Sequence, residues 1–175
     1  MSERARETWC HGPFGRRLKL KITVSGRGRL LLERAGWIPG RQIDVSQVVA
    51  NLQEVGFEVS DAAHAFLEMF WKLRIEHPPS VVLDDAEIFC WTEFDPMLVC
   101  TERSARIARR CAGVAGESLC PLGIDGFHLT IYLSPAGRYL AGMDSVVYRY
   151  AEGVDEFFAK LADGRRPQPI GEWLL

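Results

Sequence analysis

No run in this 175-residue chain approaches the roughly 20 consecutive apolar residues that a membrane-crossing helix requires. The apolar stretch nearest the start, "LKLKITV" (18–24), is short, broken by lysines and lacks a small-residue cleavage site, so it does not read as a secretory signal. The expected location is the cytoplasm, with no membrane association. Cysteine is sparse and odd in number: Cys10, Cys90, Cys100, Cys111 and Cys120, with no CxxC pair among them. That spacing gives no support to a zinc site, and the five read as reduced, mostly buried thiols.

Catalytic signatures are missing too. There is no P-loop, no GxSxG elbow, no HExxH, and no HxE paired with PCxxC. "SGRGRL" (25–30) has a GxG but not the strand-turn-helix setting of a dinucleotide site. His11, His64, His77 and His128 are scattered in unrelated settings. A thiolate at Cys120 would need a positive environment to become reactive. No catalytic residue, metal ligand or cofactor is assigned, and the chain is not expected to be an enzyme.

What is present is a division of charge. Residues 1–34 carry nine Lys/Arg against three Asp/Glu, a balance of +6; the remainder carries twelve against twenty, a balance of −8. The acidic body repels nucleic acid and favours basic protein partners. The alternative reading is a nucleic-acid-associated protein that uses the basic arm together with Arg103, Arg106 and Arg110. Residues 1–26 read as a flexible extension, 27–170 as one domain and 171–175 as a tail.

Within that domain, "ERAGWIPGRQIDV" (33–45) ends one helix and starts another. Gly36 suits a left-handed helix end, Pro39 and Gly40 turn the chain, and Asp44 with Gln47 fits a capping box. Val45, Val48, Val49, Leu52 and Val55 share a helical face. A third helix starts at Ser60/Asp61 and buries Ala62, Ala63, Phe66, Leu67 and Phe70. "LRI" (73–75) and "EIFCW" (87–91) read as strands. Thr101 caps a helix to about Gly113 with Ala105, Ala108 and either Cys111 or Ala112 inward and a basic stripe at Arg103, Arg106 and Arg110. "HLTIYL" (128–133) alternates Leu129, Ile131 and Leu133 with more polar neighbours, "SPAG" (134–137) turns, and "RYLAGMD" returns as a hairpin. "VVYRY" (146–150) is a further strand, and Val154, Phe157, Phe158 and Leu161 form the stripe of a last helix. Helices early and strands late predict an α+β fold with helices packed on one face of a sheet.

The order of these elements resembles the SUKH superfamily, and within it the third group of SUKH immunity proteins. The resemblance rests on "LLLERAGWIPGR", "DVSQVVANLQEVGFEV", "AAHAFLEMF" with "LRI" behind it, "CPLGIDGFHLTIYLSPAGRYLAG" and "VDEFFAKLADGRRP", in that order over about 28–170. One departure is plain: where the family usually has two glycines after the third helix, this chain has Trp71 and Lys72. The resemblance implies an antidote in a bacterial polymorphic toxin system that binds a cognate toxin domain, often a nuclease or nucleic-acid deaminase. It leaves oligomeric state open. It also implies a mixed, mostly antiparallel sheet and makes Gly36, Trp37, Pro39, Gly40, Arg41, Gly137 and Arg138 scaffold positions, with Trp37 packed inside and Arg41 paired to a carboxylate or carbonyl, the alternative for these two being direct contact with the partner.

Toxins of that kind carry cationic clefts, which carboxylates can fill. The segment best composed for this is Asp84, Asp85, Glu87, Trp91, Glu93, Phe94 and Asp95, acids interleaved with aromatics. The alternative for the same residues is a solvated acidic loop beside a strand whose aromatics face the core.

Overall fold

A computed structural model describes residues 22–79, 90–126 and 128–173, together with the backbone of two short strands before them, β1 (Trp9–His11) and β2 (Arg17–Lys19), which pair antiparallel. Asp84, Asp85 and Glu87 lie outside the described residues. Five helices follow in the chain: α1 (Gly26–Arg34), α2 (Ser46–Glu54), α3 (Asp61–Phe70), α4 (Glu102–Ala115) and α5 (Val154–Ala162). Seven strands make one sheet: β3 (Arg74–His77), β4 (Cys90–Glu93), β5 (Cys120–Asp125), β6 (Thr130–Leu133), β7 (Tyr139–Met143), β8 (Val146–Ala151) and β9 (Gln168–Glu172). They lie side by side in sequence order with every neighbouring pair antiparallel, as the α+β reading requires.

The helix starts follow from short polar side chains. Ser60 accepts a bond from the Ala63 N–H at 3.2 Å, and Thr101 accepts one from Ser104 at 3.1 Å. The expected capping box at Asp44 is not formed. Asp44 instead accepts from the Ser46 N–H and hydroxyl at 2.9 and 2.5 Å, and Val45 sits at the cap. Val45 is drawn into the core, which moves the helix start one residue on. The fourth helix runs past Gly113 to Ala115 and ends on Gly116 in the left-handed conformation, φ +76°.

Directly paired residues on neighbouring strands share a face. On the inner face, Phe157 of α5 stacks on Tyr139 at 4.4 Å, and Phe66 of α3 lies 5.8 Å from the same ring. Phe70, Phe94 and Phe158 complete this cluster, all fully buried, each contributing about 1.5–3 kcal/mol of apolar burial. α1 joins the same layer by lying on α5. A Cβ at Gly28 would come within 2.7 Å of Phe158 Cβ, so glycine is what permits that approach.

α4 departs from the one-sided arrangement. Gly142, Val147 and Gly171 are partners across β7, β8 and β9, and α4 covers them from the opposite, outer face. Cys111 Sγ would meet a Gly142 Cβ at 3.0 Å, and Val114 a Gly171 Cβ at 2.8 Å. The same cover explains Tyr132, read as a strand's solvent-side residue but only 2% exposed. β9 reaches Glu172, so the start of the expected tail is an edge strand.

Candidate partner-binding surface

At the other end of the outer face, β3 and β4 display a cross-strand ladder. Arg74 is paired with Glu93 and Glu76 with Trp91 in the strand register. The Arg74 guanidinium approaches Glu93 at 3.7 Å and lies over the Trp91 indole, 4.2 Å from the ring centroid. Beneath the indole is the backbone of Gly126, where an added Cβ would sit 3.2 Å from Trp91 Nε1; the Gly126 N–H also donates to the Trp91 carbonyl at 2.8 Å. The ring is thus held against the sheet while remaining half-exposed.

The expected contact residues therefore separate. Trp91 and Glu93 reach the outer face, and Glu76, not singled out from sequence, joins them. Glu76 carries no signal of its own in the sequence, because its place opposite Trp91 depends on the register between two strands that periodicity does not set. Phe94 is corrected from a contact to a core residue: it is fully buried, 5.2 Å from Phe66 and 5.7 Å from Phe158. Asp95 is also withdrawn from the surface, at 4% exposure. It accepts from Lys72 Nζ at 2.5 Å, Trp71 Nε1 at 3.1 Å and the Met97 N–H at 3.1 Å. Burial alone would raise its carboxyl pKa, but the bonds from Lys72, Trp71 and Met97 outweigh that and hold it below the ordinary carboxylate value.

This arrangement accounts for the chain's departure at its missing glycines. Lys72 adopts φ +65°, a conformation glycine takes without strain. The Asp95 carboxylate and a 2.8 Å bond from the Lys72 N–H to the Phe94 carbonyl hold it there.

The scaffold residues are tied to the same region. Trp37 is 6% exposed and stacks on Phe70 at 6.0 Å. Gly36 and Gly40 take φ +85° and +78°, and Arg41 donates to the carbonyls of Met69 and Trp71 at 2.9 Å each, closing the end of α3. Pro39 sits in the turn between them. Gly137 takes φ +85° in the β6–β7 turn, and the Arg138 side chain bonds Glu117 and reaches the Ala115 carbonyl at the end of α4.

His77 is buried below its ordinary pKa, its Nδ1 bonded to the Pro78 carbonyl and its Nε2 to the Thr92 hydroxyl, both at 2.9 Å. Burial pushes the Cys111 thiol up to about 11 and Cys120 to about 12, away from reactivity. The buried Asp125 carboxylate is used locally, accepting from the Leu129 N–H at 3.0 Å. His64 lies 3.8 Å from Glu68, and His128 is exposed in the β5–β6 turn. Among the described residues no group of three His, Cys, Asp or Glu is placed to hold a metal, and no helix is long and apolar enough to cross a membrane.

The family model that matches this chain is that of the SUKH-3 immunity protein, over residues 27–164. No curated protein and no solved structure gave a match.

Proposed function

This chain belongs to the SUKH-3 immunity protein family, and from that membership we propose that it neutralises a cognate bacterial toxin domain by stoichiometric protein–protein binding in the cytoplasm, without catalysis or cofactor. The family match over residues 27–164 is the observation that carries the reading. A nuclease or nucleic-acid deaminase is the toxin class that best suits an acidic body with a balance of −8 over residues 35–175.

The proposed contact surface is the outer face of β3 and β4. Trp91 supplies a ring pinned between Arg74 and Gly126, which loses little freedom on binding. Glu76 and Glu93 flank it, and Asp84, Asp85 and Glu87 belong to the same segment of chain. The test is survival of an indicator bacterium in which the toxin domain encoded directly upstream is induced. Rescue by this chain, and loss of rescue with Trp91→Ala plus Glu76→Lys and Glu93→Lys, is the expected result. Rescue by both versions removes this surface but keeps the role; no rescue by either removes the role.

A further inference from the structure

Twelve Lys and Arg residues lie between positions 35 and 175. Eight have internal partners. Arg41 bonds carbonyls; Lys72, Arg74, Arg138, Arg149, Lys160 and Arg165 meet carboxylates; Arg166 also has an interaction within the chain. The other four, Arg103, Arg106, Arg109 and Arg110, are all on α4, are all exposed, and have no hydrogen bond or ion pair among the described residues.

Helical geometry explains how they gather. At about 100° per residue they fall within an arc of about 120°, opposite Ala105, Ala108 and Cys111, which α4 buries on the sheet. They span about 10 Å along the axis. Like charges spaced three and four residues apart repel one another, so the fold gains nothing from the cluster. The chain has twenty acidic residues in this body and could have neutralised the four, as it does six of the other eight cations. Leu98, 50% exposed on the 3-10 turn Pro96–Val99 that leads into α4, adds an apolar contact in the adjoining chain.

Position gives the cluster its meaning. α4 rests on the outer face at β8 and β9, while Trp91, Glu76 and Glu93 occupy that face at β3 and β4. Four strand spacings, about 19 Å, separate β4 from β8, a distance one protein partner can cover. We infer that the arginine face of α4 is a docking surface for a carboxylate-bearing surface of a protein partner. The inference rests on the reading of a protein partner given above and adds that the partner presents charge of both signs. An acidic body disfavours the other polyanion, nucleic acid, because a phosphate backbone extends beyond the stripe over carboxylates.

The test uses the full chain and a fluorescein-labelled glutamate peptide of about twelve residues, read by anisotropy at low and at physiological ionic strength. Arg103→Glu, Arg106→Glu and Arg110→Glu together are expected to weaken binding by about tenfold or more, while the same reversals at Arg4, Arg6 and Arg16 change it by less than about twofold. The Gln triple variant at the α4 positions should fall between, and circular dichroism verifies that each variant is folded. Absence of peptide binding, or loss only with the arm variant, overturns the inference. Tighter binding of an RNA of equal length, lost with the same α4 reversals, also overturns it, in favour of nucleic acid. No toxin enters this assay, so its failure is distinct from a failed rescue.

Discussion

The Arg41 guanidinium lies 2.9 Å from the Trp71 carbonyl, across 30 residues of sequence, and donates at the same distance to the Met69 carbonyl two residues earlier. That pair of bonds joins the turn after α1 to the open end of α3, and through Trp71 to Asp95, which caps the 3-10 turn beyond β4. Burial lowers the Arg41 pKa, and a guanidinium keeps its charge in proteins. Arg41→Ala should destabilise the chain by about 1–3 kcal/mol, since it leaves two carbonyls without their donor. Arg41→Lys should recover only part, because one ammonium does not reproduce the planar fork. Urea unfolding of the three proteins measures both.

Two glycines give opposite expectations. Gly28→Ala forces a methyl against Phe158 and the backbone at Ala159, and should cost about 1–3 kcal/mol. Gly113 is interior to α4 with nothing within 4 Å of an added Cβ. Gly113→Ala should stabilise by about 0.5–1 kcal/mol through helix propensity. Thermal melts of the pair decide whether the α1–α5 approach is as close as described.

Asp95 sets an acid limit. Its pKa in the folded protein is depressed, so its contribution is fully present above the ordinary carboxylate value near 4 and is lost as pH falls through the lower folded value. Asp95→Asn should therefore be less stable than the parent at pH 7 by about 1.5–3 kcal/mol, with the difference shrinking below about pH 4. Denaturant midpoints between neutral and acid pH check the sign. A constant difference across that range would assign the effect to packing instead.

The thiols provide a chemical check. With Cys111 at about 11 and Cys120 at about 12, both buried, neither should react with a thiol reagent in the native protein at mildly alkaline pH. Both should react fully after unfolding in urea. Native modification of either would contradict the burial of α4 and β5.

Periodic stretches were the legible part of the sequence. The stripe at Phe157, Phe158 and Leu161, the cap at Ser60 and the β6–β7 hairpin all declare themselves through local spacing, and the structure has each. Tyr132 and Phe94 were less accessible to that logic. Whether a strand residue meets solvent depends on what lies over its face, and α4 covers one side of β6 from a distant part of the chain. Asp95 looked like surface charge because its partners, Trp71 and Lys72, are more than twenty residues away in sequence. Glu76 gained meaning only from the register that sets it opposite Trp91. The turn at 36–41 was recognisable as motif, but its job of closing α3 needed the fold.

The most direct test of the account is made on purified components. The toxin domain encoded directly upstream is titrated with this chain, following its enzymatic activity, the stoichiometry of the complex by calorimetry, and its intact mass by mass spectrometry. The account predicts that toxin activity disappears at one equivalent, that a discrete complex forms, and that the toxin's mass is unchanged. Full toxin activity with the chain in excess, or inhibition by substoichiometric amounts that leaves the toxin covalently altered, would contradict it.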